Sequence, residues 1–244
     1  MKSAIRRATP DDHARVAEIA AEGDSTDSDP AYLSFVAEAG HLLCSEIDGQ
    51  VVAFGGVVPV GEIAMVTDLF VARVARGSGV GGRLLQALLH GQRRSMTFSS
   101  KSDAALAMYR RAGMEPQGRL LYLSGMAIGG SQELVEAEWQ HGRIDLVRYF
   151  AARGALVTSD SVATPGSGHL RVHRLVGEDA VGTCERLLTA FDAGNTVDIC
   201  VPEAHPLAGW LAKAGFAETD HDMLCCSAGV DLPPDLAALH PGLA

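Results

Sequence analysis

The 244-residue sequence lacks any long run of apolar residues. A helix that crosses a bilayer needs about 20 of them in succession. The first residues, among them Lys2, Arg6 and Arg7, also lack the apolar core of a signal peptide. We therefore expect a protein that does not contact membranes and stays in the cytoplasm.

Positive charge is scarce. Twenty Lys and Arg residues stand against thirty Asp and Glu residues, which gives a formal net charge of -10. A nucleic acid would have to bind against this field, so we expect no nucleic-acid partner. The same field favours a cationic small-molecule partner over an anionic one.

Metal-binding spacings are absent from the sequence. The nine histidines form no HExxH or HxH pattern, and the five cysteines form no CxxC pair. Most of the cysteines have apolar neighbours, which is typical of buried free thiols. We therefore predict no structural metal.

The sequence does contain alternating helix and strand patterns. Capping residues and apolar spacing predict helices that begin at Thr9 and near Tyr32, a polar loop at residues 25–30 between them, and later helices at residues 79–90 and 102–112. Strands are predicted at residues 41–47, 51–58, 63–71, 96–98 and 120–123. This order predicts an α/β fold of the α+β type, in which helices flank a mixed, mainly antiparallel twisted sheet.

An internal repeat divides the chain. Residues 79–85 match residues 182–188 at an offset of 103, and residues 111–114 match residues 213–216 at an offset of 102. Matches in the same order and context predict a duplication. We expect two domains, residues 1–126 and residues 131–244, with a linker at Gly129 and Gly130 and a helix from about Ser131.

A glycine-rich turn, residues 76–82, follows the strand predicted at residues 63–71 and opens a helix with a leucine stripe. Glycines let the backbone approach a bound group and leave N–H groups pointing into one concavity. The helix N-terminus adds the positive end of its dipole, and Arg76 adds a full charge. The pattern predicts a phosphate site, but it is neither the GxxxxGK[ST] nucleotide loop nor the GxGxxG dinucleotide turn.

This RxxGxG turn, together with the Tyr-x-x-Ala-Gly-Met helix end that begins at Tyr109, resembles the GNAT superfamily of acetyl-CoA-dependent N-acetyltransferases. The resemblance covers roughly residues 1–126. It implies that the strand and the turn bind the pantetheine arm and the pyrophosphate of acetyl-CoA. The residues implied are Leu69, Phe70, Val71, Arg76, Gly77, Ser78, Gly79, Val80, Gly81, Gly82 and Arg83.

The resemblance also implies direct attack of an amine on the thioester, with Tyr109 as the general acid and a backbone N–H near residues 69–71 as the oxyanion donor. An amine must lose a proton before it attacks. Glu62 and Asp68 are the candidate bases, and His41 is a weaker one. Each carboxylate has a structural alternative, Glu62 as a turn acid and Asp68 as a surface or capping residue.

The second half resembles a degenerate GNAT copy. At the offset of 103, Asp179 replaces Arg76, and at the offset of 102, Leu211 replaces Tyr109. A carboxylate about 4 Å from a phosphate oxygen repels it by roughly 4 kcal/mol at an effective dielectric constant of about 20. We therefore expect only the first half to bind acetyl-CoA.

Three functional hypotheses follow. The first is an N-acetyltransferase for a primary amine of a small molecule or a protein; tandem members of the family also acetylate the amine of low-molecular-weight thiols. The second is a non-catalytic acyl-CoA-binding or sensory module. The third is a paired-domain assembly in which the glycine turn is only structural. Monomer and homodimer both remain open.

Overall fold

The computed structural model describes residues 3–23, 29–130 and 134–243. The helices are α1 (His13–Ala21), α2 (Pro30–Ala39), α3 (Val80–Leu88), α4 (Asp103–Arg111), α5 (Ile144–Ala151), α6 (Ala180–Thr189) and α7 (Pro206–Lys213). The strands are β1 (Ser3–Arg7), β2 (His41–Ile47), β3 (Gln50–Val60), β4 (Ile63–Val71), β5 (Ser95–Ser99), β6 (Met114–Met126), β7 (Leu156–Val157), β8 (Ser161–Gly166), β9 (His169–Val176), β10 (Thr196–Pro202), β11 (Ala217–Ser227) and β12 (Leu236–Leu239).

The chain forms two compact units. Unit 1 comprises Met1–Phe98, Ser102–Pro116 and Cys225–Val230, and unit 2 comprises Ser99–Lys101, Gln117–Leu224 and Asp231–Ala244. Strands β6 and β11 each contribute residues to both units.

In unit 1, strands β1 to β4 form an antiparallel meander, and β5 adds to β4 in parallel. Helix α3 supplies the connection between β4 and β5, as a parallel crossover requires. Its leucine stripe, Leu84 and Leu88, packs on apolar residues of β3 and β4 such as Ala53 and Ala64. These contacts fix the start of α3 beside the end of β4.

Unit 2 repeats this plan with β7 to β10. Strands β7, β8 and β9 are antiparallel neighbours, β10 is parallel to β9, and α6 connects the last two. Strand β6 pairs with the other edge of β10, and β12 pairs with β9. Both units therefore have the predicted mixed, mainly antiparallel sheet with flanking helices, and the α/β fold class is confirmed.

Several local predictions need correction. Residues 3–7 form β1, which was not predicted, because the strand depends on pairing with β2 and on the bonds of Arg6 to Asp12 and Glu46, both 2.7 Å. The helix predicted from about Ser131 is wrong for residues 134–140, which have no regular structure; residues 131–133 lie outside the described part. The polar loop predicted at residues 25–30 is described only from Asp29 onward.

The predicted linker is not an open segment. Gly129 has a φ of 77°, and its N–H donates to the carbonyl of Leu188 at 3.3 Å. A Cβ on Gly129 would lie 2.6 Å from the Cβ of Ala193. Glycine is required here by close packing and by a left-handed backbone within unit 2. Among the described helices, none is long and apolar enough to cross a membrane.

Candidate functional site

The glycine-rich turn connects the end of β4 to α3. After a short 3-10 turn at Arg73–Ala75, Gly77 and Gly79 both have a φ of 79°. This left-handed conformation strongly favours glycine. The two glycines reverse the chain within a few residues, so that α3 begins immediately beside the strand.

The first turn of α3 presents uncapped N–H groups. The N–H of Arg83 makes the first intrahelical bond, to the carbonyl of Gly79 at 3.2 Å. The N–H groups of Val80, Gly81 and Gly82 precede that bond, and Gly79 at the N-cap has no side chain with which to cap them. Three amides and the positive helix end therefore form a candidate anion site.

Arg76 stabilises this turn. Its Nε donates to the carbonyl of Val71 at 3.1 Å, and its Nη2 donates to the carbonyl of Glu22 at 3.2 Å. Arg76 was predicted as a direct phosphate ligand, but in the structure two of its nitrogens donate hydrogen bonds to backbone carbonyls. Its charge still adds to the positive potential at the turn. Arg83 is exposed, and its Nη1 lies 3.3 Å from the carbonyl of Ser78.

Two further glycines differ in their surroundings. A Cβ on Gly81 would lie 3.1 Å from Val71 and 3.5 Å from the sulfur of Met108. A Cβ on Gly82 would have no atom within 4 Å. Because glycine inside a helix costs about 1 kcal/mol relative to alanine, packing explains Gly81 but not Gly82. Open space beside uncapped amides is what a bound group needs.

Strand β4 has an open edge next to this turn. Its register with β5 ends at Val66, whereas its register with β3 continues to Val71. The N–H of Ala72 donates to β3 at Val52. Since alternate residues of a strand point to opposite edges, the N–H of Phe70 also faces β3, and the N–H groups of Leu69 and Val71 face the open edge.

A β-bulge on β4 brings a buried acid to the face covered by α2. Gly56 pairs with Asp68 and Val57 pairs with Val66, which leaves Thr67 as the extra residue. Asp68 is only 8% exposed. Its Oδ2 accepts from the hydroxyl of Tyr32 at 2.7 Å and from Thr67 Oγ1 at 2.8 Å. Asp68 is therefore an interior hydrogen-bonded carboxylate and not a surface or capping residue.

Tyr32 was missed as a site residue. It lies in α2, 36 residues before Asp68, where its spacing predicts only a buried helix face. The one signal in the sequence is that a tyrosine in an apolar stripe carries a hydroxyl that needs a partner when it is buried. The bulge on β4 that supplies this partner leaves no recognisable local pattern.

The structure separates Glu62 from this site. Glu62 precedes β4, so the length of the strand, roughly 30 Å, lies between it and the glycine-rich turn. Its side chain is 89% exposed and lies 3.7 Å from Arg94. A cavity of about 350 Å³ next to it is lined by apolar residues together with His41, Glu62 and Gln92. Glu62 and His41 therefore line one cavity, and Asp68 is not among its lining residues.

Tyr109 lies near the last turn of α4 and is only 5% exposed. The helix is capped by Ser102, whose Oγ accepts from the N–H of Ala105 at 3.3 Å. Met108, the preceding residue, approaches the first turn of α3 at Gly81. The predicted acid therefore belongs to a helix that packs against the anion site.

In unit 2 the corresponding helix end is occupied by its own acid. Asp179 is the N-cap of α6, and its Oδ1 accepts from the N–H of Gly182 at 3.1 Å. A Cβ on Gly182 would lie 2.3 Å from the same carboxylate. In the alignment at the offset of 103, α6 begins about one turn earlier than α3, because its N-cap is Asp179 whereas the N-cap of α3 is Gly79. The electrostatic argument becomes stronger, since a carboxylate already fills the anion position.

The open edge of β4 also has no equivalent in unit 2. Strand β9 pairs with β10 only up to Val172, and β12 then pairs with β9 from Arg174 to Val176. All four residues of β12 are buried. In unit 2, β12 therefore occupies the gap between β9 and β10. The corresponding gap in unit 1, between β4 and β5, remains open.

Comparisons with known proteins concern the family and the fold. Residues 33–116 match the acetyltransferase (GNAT) domain family. No curated protein is significantly similar to the sequence.

Solved structures extend the similarity to almost the whole chain. A candidate acetyltransferase from Pyrococcus horikoshii covers 99% of this chain and 96% of its own, with a TM-score of 0.76 and 16% identity. A GCN5-related N-acetyltransferase from Sphaerobacter thermophilus covers 94% and 98%, with a TM-score of 0.59 and 14% identity. Another from Kribbella flavida covers 92% and 71%, with a TM-score of 0.56 and 18% identity. At these identities the similarity is one of fold.

Proposed function

We propose that the protein is an acetyl-CoA-dependent N-acetyltransferase whose catalytic site lies in unit 1 and whose C-terminal half is a degenerate GNAT-like domain. The observation that carries the proposal is the uncapped first turn of α3 beside the open edge of β4. The three amides of Val80, Gly81 and Gly82 suit the pyrophosphate of coenzyme A. GNAT domains generally use acetyl-CoA.

The open edge of β4 suits the pantetheine arm. The N–H groups of Leu69 and Val71 face this edge, where an extended chain with amide groups can add as a further strand partner. The same N–H groups can donate to the thioester oxygen as it becomes an oxyanion. Phe70 contributes by packing, since its ring stacks on Phe54 at a centroid distance of 5.5 Å.

Asp68 is the base that this geometry favours. An alkyl amine with a pKa of about 10.4 requires about 4.6 kcal/mol to become neutral at pH 7, so a nearby carboxylate must accept its proton. Asp68 lies at the bulge of β4, adjacent to Leu69, and the hydroxyl of Tyr32 donates a hydrogen bond to its Oδ2. Glu62, at the far end of the strand, is not the base in this proposal.

Tyr109 serves as the general acid. When the tetrahedral intermediate collapses, the thiolate of coenzyme A leaves and takes a proton from the Tyr109 hydroxyl. Leu211 holds the equivalent position in unit 2, since Ala112 follows α4 and Ala214 follows α7 as their C-caps. Leucine cannot donate a proton. The acid, the anion site and the open edge are thus all found in unit 1.

The burial of Asp68 favours one alternative function, a non-catalytic acyl-CoA-binding or sensory module. With 8% exposure and two hydroxyl partners, Asp68 offers little surface to an incoming amine. A mixed panel of polyamines, aminoglycosides, cysteinyl thiols and lysine peptides separates the two functions. Thiol release from acetyl-CoA with any member supports the enzyme, whereas coenzyme A binding with no release across the panel supports the sensory module.

A further inference from the structure

Strand β9 in unit 2 carries a bulge that corresponds to the bulge of β4. Val162 pairs with Arg174 and Ala163 pairs with Val172, which leaves His173 as the extra residue. In unit 1 the extra residue is Thr67, and the following residue is Asp68. Arg174 therefore holds the position of the buried acid, with the opposite charge.

Two nitrogens of the Arg174 guanidinium are buried without a hydrogen-bond partner in the part of the chain that the structure describes. The residue is only 8% exposed, and its Nε and Nη1 contact no acceptor within the described part of the chain. The Nδ1 of the adjacent His173 is also buried without a hydrogen-bond partner in the described part of the chain, while its Nε2 lies 2.8 Å from Thr164 Oγ1. A buried charge with unsatisfied donors is unfavourable unless a partner binds it.

The neighbouring charges do not neutralise Arg174. Burial lowers its pKa to about 10, and the positive charge of Arg143 adds to this shift, whereas Asp145 and Asp235 oppose it. At neutral pH the guanidinium therefore remains charged. Asp145 is engaged by Arg143, whose Nε lies 3.2 Å from Asp145 Oδ1.

The N-terminus of α5 adds to the positive potential. Arg143 is the N-cap of this helix and has a φ of 63°, a left-handed conformation that is uncommon for a residue with a side chain. Its side chain is largely buried. The guanidinium of Arg174 and a helix N-terminus thus act on one region of unit 2, where Arg143 and Asp145 neutralise each other.

We propose that unit 2 binds a small oxyanion, a carboxylate or a phosphate group, on the guanidinium of Arg174 at the bulge of β9. A planar guanidinium matches two oxygens of such a group through a pair of parallel N–H groups, either Nε with Nη2 or Nη1 with Nη2. In unit 1 this position carries the carboxylate of Asp68, which suits a cationic amine. In unit 2 it carries the guanidinium cation of Arg174, which suits an anion. The proposal does not depend on acetyl transfer by unit 1.

Trp139 provides a local reporter. It is buried, and its Nε1 donates to the carbonyl of Gly142 at 2.9 Å, one residue before Arg143. The chain has two tryptophans, and the other is Trp210 in α7. A Trp210→Phe background leaves Trp139 as the single tryptophan. Its emission reports on unit 2, and a response to phosphate that persists unchanged in Arg174→Gln is assigned to another site.

The experiment titrates the Trp210→Phe protein with inorganic phosphate and, separately, with succinate at constant ionic strength. We expect a saturable change in Trp139 emission with at least one of them, and the stronger response distinguishes a phosphate from a carboxylate ligand. Arg174→Gln is expected to weaken that binding at least tenfold, as loss of a charged hydrogen bond requires. The matched control is Arg171→Gln, an exposed arginine on the same strand, which should bind unchanged.

Two results would overturn the proposal. One is the absence of any change in Trp139 emission when the Trp210→Phe protein is titrated with either ion. This result does not depend on a variant of Arg174. The other is binding by the folded Arg174→Gln protein that is as tight as in the control. If Arg174→Gln does not fold, Arg174→Lys replaces it, because lysine keeps the charge but loses the pair of parallel N–H groups and should bind more weakly.

Discussion

Replacement of Gly82 by aspartate is the sharpest perturbation of the anion site. A Cβ at this position has no atom within 4 Å, so the side chain fits without displacing its neighbours. An acidic group in the first turn of a helix interacts favourably with the helix dipole, by about 0.3–1 kcal/mol. We therefore expect Gly82→Asp to fold with unchanged or slightly raised stability.

The effect on coenzyme A should be large. A carboxylate about 4 Å from a phosphate oxygen repels it by roughly 4 kcal/mol at an effective dielectric constant of about 20. Since about 1.4 kcal/mol corresponds to a factor of ten, the Kd should rise by roughly 10³-fold. Isothermal titration calorimetry with coenzyme A measures this change, with circular dichroism to check the fold.

Gly209→Asp is the matched control. Gly209 lies in α7 of unit 2, and a Cβ there also has no atom within 4 Å, so the chemical change and the added charge are the same. This variant should bind coenzyme A with nearly the wild-type Kd. If a folded Gly82→Asp protein also binds within a few-fold of wild type, the pyrophosphate does not sit on α3 and the reasoning fails.

Three further predictions concern the chemistry and the stability of unit 1. Asp68→Asn should lower kcat by about 10²-fold or more while coenzyme A affinity stays constant, because only the base is lost; an unchanged rate in the thiol-release assay would assign Asp68 to structure. Tyr109→Phe should likewise lower kcat more than it changes the Kd for coenzyme A; equal kcat in the two proteins would refute its role as the acid. The bonds from Arg6 hold the pKa of Asp12 well below its usual value. The stability from this pair is therefore complete above about pH 4 and is lost as the pH falls further. Asp12→Asn should cost about 1–2 kcal/mol in urea unfolding at pH 7 and clearly less near pH 2; an equal cost at both pH values would contradict this.

The glycine-rich turn could be predicted because its signals are local. Gly77 and Gly79 have the positive φ angles that only glycine adopts readily, and the leucine stripe of α3 follows at once. Such features depend on neighbours within a few residues. A short sequence pattern therefore identifies both the turn and the chemistry that it favours.

Long-range features could not be predicted in this way. The bond between Tyr32 and Asp68 depends on a bulge in β4 and on the packing of α2, 36 residues away. At the offset of 103 the buried leucines of α3 and α6 correspond, but such short matches do not reveal where a helix begins. Only the structure shows that α6 begins about one turn earlier, with Asp179 as its N-cap.

Strand β12 shows how tertiary contacts override local propensity. Its four residues are two leucines and two alanines, which are strong helix formers. They form a strand because β9 has an unpaired edge from Arg174 onward and because all four side chains become buried there. Burial and strand pairing together outweigh a helix preference of a few tenths of a kcal/mol for each residue.

The most direct test of the central claim is a crystal structure with coenzyme A at a saturating concentration. We predict one molecule per chain, with its pyrophosphate within hydrogen-bond distance of the N–H groups of Val80, Gly81 and Gly82. A pyrophosphate bound instead at the start of α6, or a first turn of α3 that is empty while coenzyme A is bound elsewhere, would contradict the account.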